Sequence, residues 1–281
     1  MDIFHILAGF VVGLLVGLTG VGGGSLMTPI LLLFFHQPAA VAVGTDLLYA
    51  AITKSAGIIA HGKLGNIDWR IVRLLAYGSV PASIITTTLL ANIDISSEGA
   101  VQTIKFWLGI ALMLTALSVI FRNQLASFSK NGHWINPQYA ATLTVLLGIL
   151  LGFLVTLTSV GAGALGVTAL LMLYPKVSIT KIVGTDVAHA VPLTLVAGLG
   201  HVSLGTVDYT LLGTLLIGSI PGIWLGSHLS AKVAEHWIRL LLALILVYVG
   251  QKLAFPHMHV AIGLASLCII IALKQLNYRK S

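Results

Sequence analysis

The sequence predicts an all-α polytopic membrane protein, in which two repeats of about five helical segments with inverted topology are followed by one C-terminal helix. Three observations support this prediction: the composition is too apolar for water, the chain divides into long apolar segments, and its two halves repeat. Of the 281 residues, 57% are apolar and 8% are charged. An ordinary soluble domain has roughly 25% charged residues. We therefore expect most of the outer surface to face lipid.

The apolar segments are separated by short polar stretches along the whole chain. Most of them approach the ~20 residues that cross a hydrocarbon core. Two segments, 24–35 and 163–173, are too short to span unaided, so we predict short Gly-interrupted half-helices or re-entrant arms there. In chain order the predicted segments are 3–18, 24–35, 40–60, 71–91, 104–121, 139–158, 163–173, 181–200, 211–227, 237–254 and 258–273.

The two halves of the chain share four motifs in the same order, at an offset of 139 to 140 residues. Such an internal repeat indicates that one structural unit occurs twice. The motifs are a Gly-rich stretch (16–26 and 155–165), a Gly-Thr-Asp triplet (44–46 and 184–186), a His followed by Leu-Gly-x-x-Asp (61–68 and 201–208), and Gly-Ser-x-Pro (78–81 and 218–221). We predict a first membrane repeat at 1–121, a polar linker at 122–138, a second repeat at 139–255, and an extra helix with a basic tail at 256–281.

The basic residues predict opposite membrane topologies for the two repeats. The loop at 61–73 contains Lys63, Arg70 and Arg73, whereas its counterpart at 201–210 contains no Lys or Arg. The bias is reversed between 92–103 and 228–239, and between 36–39 and 174–181, where only the second-repeat loop is basic. Cytoplasmic loops carry the excess of Lys and Arg, so inverted repeats explain the alternation. We expect a multi-pass plasma-membrane protein with the N-terminus outside and the linker and C-terminus in the cytoplasm.

Inverted repeats with matching interrupted helices are typical of secondary transporters, whose substrate site lies near the middle of the membrane. Alternating access around such a site is our main functional prediction. A channel-like anion pore and, with less support, an intramembrane enzyme are the alternatives. The single cysteine, Cys268, excludes a disulfide framework, and no metal or nucleotide motif occurs. We expect the lipid bilayer, a small anion and a coupling ion, either proton or sodium, as partners, with no cofactor and no nucleic acid; the sequence does not specify an oligomeric state.

The two Gly-rich arms that precede the short segments form the predicted substrate site. A Gly cluster at a helix start exposes backbone N–H groups at the positive end of the helix dipole, which favours an anion. Thr and Ser hydroxyls in the arms add donors. Close helix packing by small residues is the competing explanation. The predicted substrate-binding residues are Thr19, Gly20, Gly22, Gly23, Gly24 and Ser25 in the first arm, and Thr158, Ser159, Gly161 and Gly163 in the second.

Four residues within apolar segments are predicted to serve coupling or charge compensation: Asp46, Lys54, Asp186 and His189. An intramembrane carboxylate costs about 2.5–3.5 kcal/mol on insertion scales, which favours a functional role. Asp46 and Asp186 would each carry a proton or bind a coupling ion, or else cap a helix. Lys54 would neutralise an acid or attract the anion, or else extend to the membrane interface. His189 follows Asp186 by three residues and would relay protons or have a structural role.

The quoted motifs also carry a family resemblance. The Gly-rich stretch at 18–25, Pro29, the triplet at 44–46, the loop at 65–68 and the motif at 78–81 resemble the sulfite exporter TauE/SafE family of membrane permeases, over nearly the whole chain. The resemblance implies transport of small sulfur-containing anions, such as sulfite, sulfoacetate or related sulfonates, across a bacterial or archaeal inner membrane. A negative-inside potential favours outward movement of an anion, by about 2.3 kcal/mol per charge per 100 mV, so we expect export.

The second arm departs from the family motif. Ser159, Ala162 and Ala164 stand where the first arm has Gly20, Gly23 and Ser25. Whether the two arms contact the substrate equally is therefore left open by the sequence.

Overall fold

The computed structural model describes residues 3–19, 26–131, 137–229 and 235–257, and every secondary-structure element in these ranges is helical. The prediction of an all-α polytopic membrane protein is confirmed. The helices form two sets of five that follow the predicted repeats. The first set is α1 (Ile3–Thr19), α2 (Met27–Leu33), α3 (Ala39–Lys63), α4 (Trp69–Ala91) and α5 (Glu98–Asn131). The second set is α6 (Ala140–Thr158), α7 (Ala164–Leu173), α8 (Ile179–Ser203), α9 (Tyr209–Leu229) and α10 (Glu235–Ala254), and a 3₁₀ turn at Pro137–Tyr139 precedes α6.

Some element boundaries differ from the predicted segments. The short helices α2 and α7 have 7 and 10 residues, so α2 is shorter than the predicted segment 24–35. Helix α5 continues to Asn131 and includes residues 122–131 of the predicted linker, because no Gly or Pro interrupts the chain between Gly109 and Gly132. The predicted helix at 258–273 lies outside the described residues.

Within the described ranges, five helices are long and apolar enough to cross a membrane. They are α4, residues 98–122 of α5, α6, α8 and α9. Their outer faces carry large exposed apolar side chains, such as Ile84 and Leu89 on α4 and Ile217 and Trp224 on α9. Lipid is the suitable environment for such a surface.

Helices from different repeats pack backbone to backbone. Helix α1 packs along α9, and a Cβ atom at Gly13 would lie 2.8 Å from the Cα of Ser219. Helix α6 packs along α4 in the same way, and a Cβ at Gly152 would lie 2.9 Å from the Cα of Ser79. Glycine permits this close approach. Because Gly13 and Gly152, like Ser79 and Ser219, occupy equivalent positions, the same contact is made twice with the repeats exchanged.

Helices α3 and α8 pair at the centre and run in opposite directions. At one end, a Cβ at Gly44 near the start of α3 would lie 3.0 Å from the Cβ of His201 near the end of α8. The hydroxyl oxygen of Thr45 there accepts a hydrogen bond from the backbone N–H of Asp208, at 3.1 Å. We call this contact, formed by Gly44, Thr45, His201 and Asp208, the first latch.

The equivalent contact closes the other end of the α3–α8 pair. A Cβ at Gly184 near the start of α8 would lie 3.1 Å from the Cγ of His61 near the end of α3. The hydroxyl oxygen of Thr185 accepts a hydrogen bond from the backbone N–H of Asp68, at 2.9 Å. We call Gly184, Thr185, His61 and Asp68 the second latch. The opposite membrane topology of the two repeats stays a prediction.

Candidate functional site

Asp46 lies inside α3 and its carboxylate reaches the start of α2. The side chain is 0% exposed. Its Oδ2 accepts hydrogen bonds from the backbone N–H of Thr28, at 3.2 Å, and from the Thr28 hydroxyl, at 2.6 Å. Thr28 is the second residue of α2, where a backbone N–H has no acceptor within its own helix and a negative charge is favourable. Asp46 therefore caps α2 and not α3, whereas its Oδ1 has no protein partner.

Asp186 occupies the equivalent position in α8 and its carboxylate reaches the start of α7. It is 1% exposed, and it lies close to the backbone N–H of Gly163, the residue that precedes α7. The carboxylate also packs against Gly166, where an added Cβ would overlap Asp186 Oδ1. Asp186 Oδ1 has no hydrogen-bond partner in the protein. Each duplicated acid thus faces the start of the short helix in its own repeat.

Lys54 is a buried cation between the two acids. Its side chain is 7% exposed, so it does not extend to the membrane interface. The ammonium donates a hydrogen bond to the carbonyl oxygen of Ala162 in the second arm, at 3.3 Å. It lies within electrostatic range of Asp46 and Asp186, but no ion pair within 4 Å joins it to either acid in the described part of the chain. An ammonium has three donors, so Lys54 can bind a further acceptor.

The second arm, residues 159–163, is a buried non-helical connection between α6 and α7. Ser159, Gly161 and Gly163 have φ angles of 59°, 128° and 124°, in the region that favours glycine. The hydroxyl of Thr158 donates to the carbonyl oxygen of Leu154, at 2.6 Å, and accepts from the N–H of Val160, at 3.1 Å. Thr158 therefore shapes the arm and does not offer a free donor to a substrate.

Unused donors remain in this arm. The Ser159 hydroxyl, in a side chain that is only 3% exposed, lies beside the Asp46 carboxylate but makes no hydrogen bond of good geometry there or elsewhere in the protein. Within the described ranges, the backbone N–H groups of Gly161 and Ala162 donate no hydrogen bond either. These groups precede the ten-residue helix α7, so its positive end faces the same place.

The first arm falls outside the described residues. This applies to Gly20, Gly22, Gly23, Gly24 and Ser25, and to the side chain of Thr19, the last residue of α1. Their predicted contact with substrate stays a prediction.

His189 and Tyr49 occupy equivalent positions on α8 and α3. The His189 Nε2 forms a 2.8 Å hydrogen bond with the hydroxyl of Ser79 on α4. The buried Tyr49 hydroxyl lies near Ser219, the counterpart of Ser79 on α9, without a hydrogen bond of good geometry. Sequence reasoning did not assign a role to Ser79, Ser219 or Tyr49, although both serines belong to the duplicated Gly-Ser-x-Pro motif. No sequence pattern indicated a role for Thr28, because its contact with Asp46 depends on the packing of α2 against α3.

The structure brings five of the predicted site residues together: Asp46, Lys54, Ser159, Asp186 and His189. We call them the central cluster. Buried polar atoms normally have hydrogen-bond partners, yet four atoms of this cluster have none in the protein: Asp46 Oδ1, Ser159 Oγ, Asp186 Oδ1 and His189 Nδ1. The two carboxylate oxygens accept hydrogen bonds, whereas the Ser159 hydroxyl and the Lys54 ammonium can donate, so the cluster offers a small polar ligand both kinds of group. In the described part of the chain, no group of three or more His, Cys, Asp or Glu side chains is placed to hold a metal ion.

The comparison with known families agrees with the motif resemblance. The sequence model of the family described as "Sulfite exporter TauE/SafE" matches residues 5–253. The chain belongs to this family. It is a multi-pass membrane transporter.

Curated relatives cover most of the chain. The Probable membrane transporter protein YjnA of Bacillus subtilis is 40% identical over 255 residues, covering 90% of this chain and 100% of the relative. A second Bacillus subtilis relative, Probable membrane transporter protein YdhB, is 29% identical, covering 79% of this chain and 87% of its own. A probable membrane transporter protein of the archaeon Methanocaldococcus jannaschii is 29% identical, covering 87% of this chain and 92% of its own. No solved structure matches the chain significantly.

Proposed function

We propose that the protein is a secondary transporter that exports small sulfur-containing anions, such as sulfite, sulfoacetate or related sulfonates, by alternating access around the central cluster. The observation that carries the proposal is the second arm. Its buried Ser159 hydroxyl lacks a partner, its free backbone N–H groups lead into α7, and the Lys54 ammonium lies beside it. The family description supports sulfite-like substrates.

The donor set suits an oxyanion. Sulfite and sulfonates present several acceptor oxygens and a negative charge. The arm supplies one hydroxyl and backbone N–H groups at a helix start, which bind anions well, and Lys54 supplies a formal charge. We place the anion at the second arm because the N–H groups of Gly161 and Ala162 make no hydrogen bond there, whereas the N–H and the hydroxyl of Thr28 at the start of α2 already bond Asp46.

Alternating access requires that the central cluster be closed from each side in turn. The two latches lie at opposite ends of the α3–α8 pair, with the central cluster between them. Opening the first or the second latch alone would connect the cluster with one side only, as a transporter requires.

A binding screen and a flux measurement test the proposal together. Purified protein is heated with sulfite, thiosulfate, sulfate, sulfoacetate and ethanesulfonate, and a bound anion raises the melting temperature by mass action. The same anions are then tested in proteoliposomes. The flux through a transporter saturates with anion concentration and shows counterflow, whereas the flux through a pore shows neither saturation nor counterflow. Ser159→Ala should weaken the binding of the active anion by roughly 3- to 10-fold, the value of one hydrogen bond.

The matched control is Ser55→Ala. The Ser55 hydroxyl donates to the carbonyl oxygen of Ala51 one turn earlier on α3, at 2.6 Å, so its removal should leave binding unchanged. No stabilisation and no flux with any anion would contradict the proposed function. Equal losses in both serine variants would contradict the placement of the anion at the second arm.

One contact favours an enzyme as the second candidate. The 2.8 Å contact between Ser79 Oγ and His189 Nε2 is that of a nucleophile and its base. However, His189 Nδ1 lacks the partner that would orient it as a base, and Tyr49 stands at the equivalent position in the other repeat. Treatment with a fluorophosphonate probe distinguishes the two. We expect no covalent labelling of Ser79, and stoichiometric labelling would favour the enzyme.

A further inference from the structure

The central cluster holds more buried acid than buried base. Asp46 and Asp186 are 0% and 1% exposed, and Lys54, at 7%, is the buried cation within range of both. The half-buried Arg122 on α5 adds attraction at Asp186 but not at Asp46. Among the described residues, His189 beside Lys54 and Tyr49 beside Asp46 also face the cluster. A neutral imidazole and a neutral phenol add no charge, so Asp46, Asp186 and Lys54 dominate the balance.

This balance is unfavourable for an anion when both acids are ionised. Two carboxylates then already take up the positive charge of Lys54, and a bound anion adds an uncompensated negative charge in a buried place. Buried charges require a partner. If one carboxylate is protonated as a monoanion binds, one negative charge replaces another and the net charge of the cluster does not change. Anion binding at this cluster therefore needs one proton.

Asp46 is the better of the two acids to hold that proton. By charge, Asp186 is attracted by Lys54 and Arg122 and Asp46 by Lys54, although the two hydrogen bonds from Thr28 also favour ionised Asp46, so the position beside the anion decides. Asp46 Oδ1 is unpartnered and adjacent to the Ser159 hydroxyl, where we place the anion. A proton on Oδ1 changes this oxygen from an acceptor into a donor toward the anion. Oδ2 keeps its hydrogen bonds with Thr28 in either state.

We propose that Asp46 binds one proton together with the anion, while Asp186 stays ionised as the counter-charge of Lys54. This inference rests on the proposed function, because it assumes an anion at the second arm. It makes the proton the coupling ion, and not sodium. A monoanion then crosses with no net charge, so transport follows the anion and proton gradients. Export is then driven by a cytoplasmic excess of the anion and not by the membrane potential.

A carboxyl titration by infrared spectroscopy tests the proton site without any substrate. Reconstituted wild-type protein is titrated from about pH 5 to about pH 8, within the range where buried carboxyls can titrate. The C=O band of the last carboxylic acid to ionise should disappear in Asp46→Asn and persist in Asp186→Asn. The opposite assignment, or the absence of any such band at the lowest pH, would overturn the proposal.

A flux experiment tests whether the proton moves with the anion. Ethanesulfonate is the probe, because its sulfonate stays ionised throughout this pH range, and a pH-sensitive dye inside the proteoliposomes reports protons. Wild-type counterflow should rise as the pH falls, by at most about tenfold per pH unit for one linked proton. In Asp46→Asn, whose amide mimics the protonated acid, counterflow should change less than about twofold over the same range.

Wild-type protein alone also decides the question if the variants do not fold. Ethanesulfonate uptake should acidify the liposome interior and should not respond to a potassium–valinomycin potential or to the replacement of sodium by choline. Flux that is electrogenic, sodium-dependent or independent of pH would refute the proton coupling but not the transport of anions. Absence of flux for every anion in the panel contradicts the proposed function, and the infrared titration then decides the proton site by itself.

Discussion

The neighbourhoods of Asp46 and Asp186 share their backbone contacts but differ in nearly every side chain. Both acids lie one residue after the threonine of a latch and face the start of a short helix. Around Asp46, however, the carboxylate bonds Thr28, whereas Asp186 packs against Gly166. Duplication thus preserved the shape of the site while its chemistry diverged.

The divergence is largest one and two turns further along the paired helices. Tyr49 on α3 corresponds to His189 on α8, and Lys54 corresponds to Thr194. Lys54 reaches the Ala162 carbonyl oxygen in the other repeat, whereas the Thr194 hydroxyl donates to Ala190 within its own helix. Among the described residues, Lys54 therefore donates to the second arm, and the two equivalent positions, a cationic half-site at Lys54 and a neutral half-site at Thr194, differ in charge.

The two latches also differ, in the hydrogen bonds that their histidines make. His201 in the first latch bonds the Thr206 hydroxyl through Nδ1, at 2.8 Å, and the Thr156 carbonyl oxygen through Nε2, at 3.0 Å. In the second latch, the buried Nδ1 of His61 has no partner, because Asn66 stands where the first latch has Thr206. The first latch is therefore the stronger, and we expect the second latch to open more readily.

The largest expected effect is a difference in thiol labelling that tests the membrane topology of the two repeats. If the repeats are inverted, a thiol at position 63 and a thiol at position 202 face opposite sides of the membrane. Lys63→Cys and Val202→Cys are each made in a Cys268→Ser background and treated with an impermeant maleimide in intact cells. We expect protection of position 63 and complete labelling of position 202. Labelling of both from outside would show that the repeats are not inverted.

The next largest expected effect is a loss of anion affinity when Lys54 is replaced. Lys54→Met removes the charge and the donor from the second arm, and a hydrogen bond to a charged group contributes about 1.5–3 kcal/mol. Anion binding should weaken by roughly 10- to 100-fold. Thr194→Val, at the equivalent position, should change binding by less than about twofold, because the Thr194 hydroxyl only bonds its own helix. Equal effects would mean that the half-sites are not specialised.

Gly166 gives a moderate effect on stability. Gly166→Ala places a Cβ against Asp186 Oδ1, and overpacking of this kind costs about 1–3 kcal/mol. Gly213→Ala on α9 is the control, since no heavy atom lies within 4 Å of its Cβ position. The melting temperature in detergent should fall for Gly166→Ala and stay level or rise slightly for Gly213→Ala. An unchanged melting temperature in Gly166→Ala would contradict the packing of Asp186 against α7.

The smallest expected effect is on thiol labelling near the central cluster when a threonine of either latch is replaced. Thr45→Val and Thr185→Val each remove one hydrogen bond across a latch, worth about 1 kcal/mol, and Thr185→Val also removes the bond from its hydroxyl to the Lys181 carbonyl oxygen within α8. Thr185→Val should increase thiol labelling of a cysteine at position 194, near the cluster, by a few-fold from the side of the second latch, because His61 adds no hydrogen bond through Nδ1. Thr45→Val should have little effect, because the bonds of His201 remain. A larger effect of Thr45→Val would reverse the order of latch strength.

The sequence predicted the parts of this arrangement that repeat or that are chemically unusual in a membrane. Duplicated motifs located α7 and the second arm, and the rarity of charge at depth selected Asp46, Lys54 and Asp186. The same motifs contain the residues of both latches, but their contacts were not predicted. Contacts between repeats were not predictable in detail. The bond from Lys54 to Ala162 and the capping of α2 by Asp46 depend on how segments far apart in sequence pack. Thr158 has a hydroxyl in a suitable place, but the local backbone occupies it.

The exchange of partners between the repeats, α1 with α9 and α4 with α6, means that neither half can fold as a finished module. One half alone would expose a glycine-lined helix face without the face that covers it. In the proposed transport cycle, each rigid unit would combine helices from both halves, because a motion that separates the first half from the second would break the close backbone packing of α1 against α9 and of α4 against α6.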